Sequence, residues 1–297
     1  MDNKKRFIII DSNILMHRAY HALPPLKSKN GELANAVYGF LLIFFRAVKE
    51  FQPNFVAAVF DTAKPTFRHQ AFKDYKITRP PTPEDLSSQI PVIKSLLRES
   101  GIAVFAEEGF EADDVIGTVA RLSLLEDGNG LEVIILSCDL DTLQLVNANI
   151  KVCTFQNGFK NMVLYNNEKI EERYEISSVD LVDFRALKGD PSDNIPGVAG
   201  IGEKTAISLL KDFGSLDNLY FEIETATARA GAIRPAVRER LINNKDQAFL
   251  SKELSIIKQD VPVNFQLDDC GFGKYDREKA ARSLEQIGFR SLVGKLP

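Results

Sequence analysis

The chain has 297 residues, of which 44% are apolar and 26% charged, so one large or two modest domains with a sizeable core fit this composition. No uncharged apolar stretch is long enough to cross a bilayer, and the first residues lead into a strand pattern instead of a signal peptide, so we expect a cytoplasmic protein. The three cysteines are widely spaced, which excludes a zinc knuckle or a paired redox motif.

Short apolar runs rich in β-branched residues mark the predicted strands. The strongest runs are residues 7–10, 55–60 and 132–136, and weaker candidates are residues 102–105 and 151–155. Between them, apolar residues recur at helical spacing over residues 37–48 and, after a Thr82-Pro83 helix start, over residues 86–97. Alternating strands and helices predict an α/β domain with a doubly wound, mainly parallel sheet.

The pattern changes in the last third of the chain. After about residue 180 the strand signals fade and short helical patterns replace them. We therefore predict an α/β domain over residues 1–175 and a helical domain over residues 176–297.

Carboxylates follow the predicted strands and occur in two further clusters. The nine candidates are Asp11, Asp61, Glu111, Asp113, Asp114, Asp139, Asp141, Asp190 and Asp193. Because the carboxyl ends of parallel strands share one edge of a sheet, we expect those after the strands to converge there. Any one of them alone fits a helix N-cap or a solvated loop charge. Together they would repel one another unless cations held them in place.

Oxygen ligands without histidine or cysteine favour Mg²⁺ or Mn²⁺. Two such ions about 3.5 to 4 Å apart promote attack of water on a phosphodiester. The net charge of −4 does not exclude a nucleic-acid partner, because the chain is net positive once these carboxylates are set aside. The pattern predicts a metal-dependent phosphoryl-transfer site.

A basic segment with interleaved aromatic residues follows Asp61. Its members are Lys64, Phe67, Arg68, Phe72, Lys73, Tyr75, Lys76 and Arg79, with the basic residues mostly at helical spacing. The pattern suits a phosphate track with stacking surfaces, although a solvated helix face is the alternative. The neighbouring carboxylates favour the phosphate track, because a cation beside metal ions can orient the scissile phosphate.

Residues 195–206 alternate glycines with small apolar residues just before a helical pattern. Such a turn leaves N–H groups free at a helix N-terminus, where phosphate binds without base readout. The candidate contacts are Gly197, Gly200, Gly202, Lys204 and Thr205. The spacing matches neither a dinucleotide-binding fingerprint nor a P-loop.

Several long motifs occur in a characteristic order. They are Phe60-Asp61, Thr66-Phe67-Arg68, Tyr75-Lys76, Glu111-Ala112-Asp113-Asp114, Asp139-Leu140-Asp141 and Gly189-Asp190-Pro191-Ser192-Asp193-Asn194-Ile195-Pro196-Gly197. Together they resemble the flap endonuclease family, in the form of the 5′-3′ exonuclease domain of bacterial DNA polymerase I, over essentially the whole chain. The resemblance implies a PIN-like core, a helical arch over the site, and a C-terminal helical domain with a helix-hairpin-helix motif.

The resemblance also implies roles for individual residues. The nine carboxylates would hold two or more Mg²⁺ (or Mn²⁺) ions, and Lys76, Arg79 and Arg68 would act on the scissile phosphate. Further DNA contacts would come from Arg18, Lys64, Lys73, Tyr75 and the glycine-rich hairpin, the last with a monovalent cation such as K⁺.

The substrates implied are 5′ flaps, nicks and gaps in duplex DNA and RNA primers on DNA, cleaved in replication and repair. We expect a monomer without membrane contact. A DNA polymerase would be its partner, either in trans or on a further C-terminal part, since none follows Pro297 here.

Three positions depart from the family pattern. Cys138 and Leu140 replace a small and a basic residue around the paired aspartates, and His17 stands where an aromatic residue is common. We expect altered substrate grip with cleavage retained.

Two other functions stay open. A PIN-type ribonuclease would share the acidic core, but the C-terminal hairpin domain counts against it. A non-catalytic junction-binding module would have lost metal ligands, and none is lost here. A haloacid-dehalogenase-like phosphatase would need an aspartate where Asn13 stands.

Overall fold

A computed structural model describes residues 4–156 and 161–297. Within these residues there is one six-stranded sheet, in the order β3-β2-β1-β4-β5-β6. Its strands are β1 (Lys5–Asp11), β2 (Phe55–Val59), β3 (Ala103–Phe105), β4 (Leu131–Leu136), β5 (Ile150–Gln156) and β6 (Asn161–Tyr165). The first five are parallel and β6 is antiparallel to β5. The predicted α/β class and mainly parallel sheet are confirmed, whereas the edge strand β6 was not predicted.

The helices alternate with the strands in the first half and follow one another in the second. In the first half they are α1 (Ser12–Ala22), α2 (Asn35–Phe51), α3 (Phe67–Ala71), α4 (Glu84–Ser87), α5 (Ile90–Glu99) and α6 (Ala112–Asp127). The rest are α7 (Asn167–Tyr174), α8 (Leu181–Lys188), α9 (Glu203–Phe213), α10 (Leu216–Glu224), α11 (Ala228–Gly231), α12 (Pro235–Asn243), α13 (Lys245–Ser255), α14 (Arg277–Ile287) and α15 (Arg290–Val293). In the described parts of the chain, none of these could cross a membrane.

The sheet is covered on both faces, which explains why β2, β3, residues 7–10 of β1 and residues 133–136 of β4 are apolar. Along β1, Phe7 and Ile9 face one core, which includes α6, and Ile8 and Ile10 face the other, which includes α2 and α5. This alternation is the two-residue period of a strand. All four side chains are fully buried.

The chain reverses direction across the sheet between β3 and β4. Strands β2 and β3 lie on one side of β1, and β4 and β5 lie on the other. Open α/β sheets bind ligands at the carboxyl ends of strands beside such a switch point. Asp11, Asp61 and Asp139 therefore lie at or just after the carboxyl ends of β1, β2 and β4, on the same side of the sheet.

The segment between β2 and α5, which carries Lys76 and Arg79, consists of the short helices α3 and α4 joined by turns. The helical spacing of its basic residues corresponds to helix only within α3, because the chain leaves the helical conformation at Phe72, whose φ is −142°, and continues through turns to Pro80. Lys76 lies in a turn with a φ of 56°.

The last part of the chain returns to the sheet. Phe265 packs against Phe7 and Phe105 with ring centroids 6.2 and 5.9 Å apart, and Phe289 packs against Tyr38 at 5.2 Å. The region after α13 therefore completes the cores of the α/β part. Residues 176–297 thus pack against the α/β part as well as on one another. The domain boundary at residue 175/176 stays a prediction.

Candidate active site

The carboxyl ends of β1, β2 and β4 surround a cavity of about 450 Å³. Its lining includes Asp11, Asp61, Glu111, Asp113 and Asp139, together with Lys76, Arg79, Asn13 and His17. A second cavity of about 210 Å³ shares Asp139 and is also lined by Asp141, Asp190, Asp193 and Arg185. The structure thus brings together all of the predicted carboxylates except Asp114.

Local hydrogen bonds position the carboxylates of the first cavity. Asp11 ends β1 and is the N-cap of α1, where it accepts the Ile14 N–H at 3.3 Å. Asp61 follows β2 and accepts the Ala112 N–H at 2.8 Å. That second bond holds the first turn of α6, with Glu111 and Asp113, against the edge of the sheet.

The second cavity is organised by an arginine that sequence reasoning missed. Arg185 donates to Asp190 at 2.7 Å and forms an ion pair with Asp141. It lies in α8, one turn before Gly189, whose amide N–H bonds its carbonyl at 2.7 Å. The sequence feature that could have identified Arg185 is its position one helical turn before the Gly189-Asp190 motif. Arg185 joins the aspartate pair after β4 to the turn that follows α8.

Burial and mutual proximity raise the pKa values of the central carboxyls. Burial raises the pKa of Asp11 to about 7, with the charges of Asp61 and Asp139 adding to the effect. Burial, followed by the charges of Asp139 and Asp11, holds the pKa of Asp113 well above its ordinary value. The pKa of Asp141 is likewise well raised, by burial and then by Asp139. These groups cannot all ionise near neutral pH without a countercharge.

The basic residues Lys76 and Arg79 line one part of the same cavity. The Lys76 ammonium donates to Glu111 at 2.8 Å and lies 3.7 Å from Asp193, with which Arg79 forms an ion pair. Burial opposes ionisation of Glu111, but Lys76 and then Arg68 hold its pKa below the ordinary value. These cations therefore neutralise the Glu111 and Asp193 side of the site.

Direct ion pairing is sparser on the other side. In residues 4–156 and 161–297, with Arg18 and Arg46 left aside, no lysine or arginine forms an ion pair with Asp11, Asp61, Asp113 or Asp139. Burial raises the pKa of Asp61, and the charges of Lys76 and Arg79 only partly oppose that rise. In the same ranges, no three His, Cys, Asp or Glu side chains already stand in the arrangement of a formed metal site. The donors are all oxygens, and their excess negative charge suits hard divalent cations. The residues present therefore fit the predicted type of ion.

Arg68 and Asp114 require a correction. Their side chains are buried, with relative exposures of 3% and 0%, and they form a bidentate pair at 2.7 and 2.8 Å. Asp114 also accepts the backbone N–H groups of Lys258 and Glu111. Because its oxygens are already engaged away from the cavity, the metal-ligand prediction for Asp114 is wrong. Arg68 for the same reason does not reach a scissile phosphate.

Tyr75 also differs from its predicted role. Its side chain is 3% exposed, and its hydroxyl donates to Glu111 at 3.1 Å and Asp193 at 3.3 Å. A ring buried in this way cannot stack on a base, so its assignment as a DNA contact is wrong. It instead fixes the turn that carries Lys76, whose own N–H donates to the Asp193 carbonyl at 2.9 Å.

The remaining candidates near the cavity occupy different surroundings. Burial, then the charges of His21 and Arg79, lowers the pKa of His17, which favours a neutral ring in the lining. Burial raises the pKa of the Cys138 thiol, and the nearby charge of Arg18 partly opposes this rise. Lys64 is exposed and pairs with Glu108, and Lys73 is exposed. Asn13, which sequence reasoning did not select, accepts the Asp61 N–H at 3.1 Å.

Residues 189–202 join α8 to α9, and the predicted hairpin, residues 197–204, covers the last part of this connection and the start of α9. Gly197 has a φ of 62°, and a Cβ there would overlap the backbone nitrogen of Gly189. Its N–H donates to Ser251 at 3.0 Å, so this group is not available to a phosphate, and that part of the prediction is wrong. Gly200 has a φ of 77° and its carbonyl accepts from Arg240.

The start of α9 retains the features expected of a phosphate contact. Gly202 is the N-cap and is exposed, as is Lys204, while Thr205 is half-buried in the first turn. The carbonyl of Gly202 accepts the Ala206 N–H, which leaves the N–H groups of the first turn directed outward.

Two family models match the chain. The model described as the 5′-3′ exonuclease N-terminal resolvase-like domain matches residues 6–175, and the model described as the 5′-3′ exonuclease C-terminal SAM fold matches residues 176–278. The chain is 38% identical over 293 residues to DNA polymerase I of Bacillus caldotenax, covering 99% of this chain and 32% of that protein. It is 40% identical over 298 residues to DNA polymerase I of Chloroflexus aurantiacus, covering 98% and 30%. The chain thus spans about a third of the length of these relatives.

Solved structures share the fold. The T5 D15 protein co-crystallised with metal ions superposes with a TM-score of 0.67 at 18% identity, covering 98% of this chain and 97% of that one. The catalytic core of Rad2 in complex with DNA substrate superposes with a TM-score of 0.61 at 18% identity, covering 99% and 93%. At this identity the likeness establishes the arrangement of sheet and helices.

Proposed function

This chain belongs to the 5′-3′ exonuclease family, and from that membership we propose that it is a divalent-metal-dependent 5′-3′ exonuclease and flap endonuclease. Its reaction is hydrolysis of phosphodiester bonds in branched or nicked duplex DNA. The observation that carries the proposal is the meeting of Asp11, Asp61, Asp113 and Asp139 in one cavity with Lys76 and Arg79. A surplus of carboxylate oxygens beside the two cationic side chains Lys76 and Arg79 would suit the hydrolysis of a phosphodiester assisted by divalent metal ions.

The cofactor in this proposal is Mg²⁺, or Mn²⁺ in its place, with two or more ions. The residues that would hold them are Asp11, Asp61, Glu111, Asp113, Asp139, Asp141, Asp190 and Asp193. When bound, such ions supply the Lewis acidity that activates water and neutralises the leaving oxygen in phosphodiester hydrolysis. The metal ions in the T5 D15 structure support this part of the proposal.

Lys76 and Arg79 have the task of orienting the phosphate. Both are held beside the carboxylates by Glu111 and Asp193 and would exchange part of these contacts for the phosphate oxygens. The φ of 56° at Lys76 and the bond from its N–H to Asp193 fix the turn, so little ordering is needed when DNA arrives. His17, with its lowered pKa, adds a neutral ring to the same lining.

The helical part has the task of gripping the duplex. We assign catalysis to residues 1–175 together with Asp190 and Asp193, and duplex binding to the rest of residues 176–297, through the start of α9 and with K⁺ at the hairpin. The DNA in the Rad2 complex supports a DNA substrate. Arg18, Lys64 and Lys73 are the further contacts proposed. RNA primers on DNA are proposed substrates, and a DNA polymerase, attached or in trans, is the proposed partner.

The test is cleavage of end-labelled 5′-flap DNA, 3′-flap DNA, single-stranded DNA and single-stranded RNA, each with Mg²⁺ and with chelator. We expect metal-dependent cutting near the base of the 5′ flap, with the 3′ flap spared. Preferential cutting of single-stranded RNA would replace the proposal with a PIN-type ribonuclease. Tight flap binding without cutting in Mg²⁺ would leave a junction-binding module.

A further inference from the structure

A chain of hydrogen bonds runs from the hairpin to the metal-site helix through α13. At the hairpin end, Gly197 donates its N–H to Ser251 at 3.0 Å and accepts from Gln247 at 2.6 Å. Both partners lie in α13, and Ser251 is fully buried. The position of α13 is therefore tied directly to the position of the hairpin.

The other end of α13 is held by Arg68. Its guanidinium donates to the carbonyls of Leu254 at 2.9 Å and Ile256 at 2.7 Å. Of its three remaining N–H groups, two donate to Asp114 and one to Glu111. Because Asp114 also accepts the Lys258 N–H at 2.8 Å, the end of α13 and the segment after it are fastened to one carboxylate.

Asp114 lies in the first turn of α6, where two proposed metal ligands are located. Its side chain accepts the N–H of Glu111 at 3.1 Å, and Arg68 lies 3.4 Å from the Glu111 carboxylate. Asp113, the preceding residue, lines the cavity. A shift of α13 relative to the sheet would therefore move the first turn of α6.

We propose that Arg68 is a positioning residue that couples the seating of duplex DNA on the hairpin to the placement of the metal-binding carboxylates of α6. This inference rests on the proposed function. A guanidinium is suited to the task, since its planar donors meet two carbonyls and a carboxylate at once, whereas an ammonium cannot reproduce that geometry. The pair is buried, so its geometry is determined by packing and not by solvent.

Coupling of this kind has a reciprocal thermodynamic signature. If bound duplex tightens metal binding by some factor, bound metal must tighten duplex binding by the same factor. The factor can be measured without cleavage, using Mn²⁺ and a dumbbell duplex closed by loops at both ends. We expect the dumbbell to tighten Mn²⁺ binding to the native protein roughly fivefold or more, in the usual range for coupled sites.

The decisive variant is Arg68→Lys, which keeps the positive charge and removes the planar set of guanidinium N–H donors. We expect its coupling factor to fall towards one, and its single-turnover cleavage rate at saturating flap DNA to fall about tenfold. Its dissociation constant for the dumbbell in chelator should stay within about twofold of the native value. The last measurement separates a coupling role from lost DNA affinity.

Two further variants separate coupling from general damage to the fold. Gln247→Met removes one of the two hydrogen bonds at the hairpin end of the path and should also lower the coupling factor. The matched control is Arg121→Lys, because Arg121 lies on the exposed face of α6 and ties the same returning segment through the Gln259 carbonyl at 2.7 Å. The control should keep the native coupling factor.

The outcomes distinguish this inference from the proposed function. An unchanged coupling factor in both Arg68→Lys and Gln247→Met, with native cleavage intact, overturns the coupling and leaves the nuclease proposal standing. A native protein that binds no Mn²⁺ and cuts no flap overturns the proposed function itself. Loss of coupling in Arg121→Lys to the same extent would also overturn the specific role of Arg68.

Discussion

The Ser137 hydroxyl donates a 2.6 Å hydrogen bond to the carboxylate of Asp11. The two residues stand at the ends of the neighbouring strands β4 and β1, and both are buried. The hydroxyl favours the ionised carboxylate, but burial outweighs it, so the pKa of Asp11 rises to about 7. Because Asp11 is buried where it lines the cavity, ionisation of its carboxyl group costs free energy in the metal-free protein.

This cost predicts that the difference in free energy of unfolding between Asp11→Asn and the native protein depends on pH. Native Asp11 keeps its proton up to about pH 7, whereas the unfolded chain releases it near pH 3.9. The native state thus binds more protons in this window, and the metal-free free energy of unfolding falls as pH rises through it. An asparagine avoids that loss and retains the N-cap.

We expect metal-free Asp11→Asn to be more stable than the native protein by about 1 to 3 kcal/mol at pH 8, with little difference near pH 4. Urea unfolding in chelator at both pH values measures this. The exposed Asp260→Asn serves as the control and should change little. Equal destabilisation of Asp11→Asn at both pH values would contradict the pKa shift.

Asp113→Ala and Asp190→Ala test the metal-ligand assignment in the two cavities. Each removes an oxygen donor, and we expect each to lose about a hundredfold or more of the single-turnover cleavage rate, since bound metal ions supply several kcal/mol of transition-state stabilisation. DNA binding in chelator should be largely retained. Native cleavage rates in both variants would reject the assignment.

Lys76→Ala and Lys73→Ala separate catalysis from binding within one turn. Lys76 contacts Glu111 in the cavity, whereas Lys73 is exposed. We expect Lys76→Ala to lower the single-turnover rate about a hundredfold at saturating DNA. Lys73→Ala should leave that rate unchanged and reduce the slope of log affinity against log salt by about 1. The reverse pattern would show that the two lysines have exchanged roles.

Gly197→Ala and Gly202→Ala form a matched pair at the hairpin. A Cβ at Gly197 would overlap the Gly189 backbone at a φ of 62°, whereas a Cβ at Gly202 meets nothing within 4 Å. We expect Gly197→Ala to lower the free energy of unfolding by about 3 kcal/mol or more and Gly202→Ala by less than about 1 kcal/mol. Denaturant titration measures both, and similar losses in the two variants would contradict this packing.

The sheet was predictable because its cause is local. Residues 7–10 and 133–136 are apolar at every position, as a strand covered on both faces requires. The convergence of Asp11, Asp61 and Asp139 followed from the geometry of parallel strands, without knowledge of side-chain contacts. The short β6 was missed because its pairing with β5 depends on a partner and not on a strong pattern of its own.

The roles of individual side chains were decided by tertiary structure. Asp113 and Asp114 are identical and adjacent, but successive helical residues point about 100° apart, so one lines the cavity and the other is buried. Which of the two is buried depends on Arg68 and on the Lys258 amide, which comes from 144 residues further along the chain. The sequence by itself determined which residue types gather at the edge of the sheet. Only packing between distant segments decided which of them face the cavity, because side-chain direction depends on partners that the fold brings together.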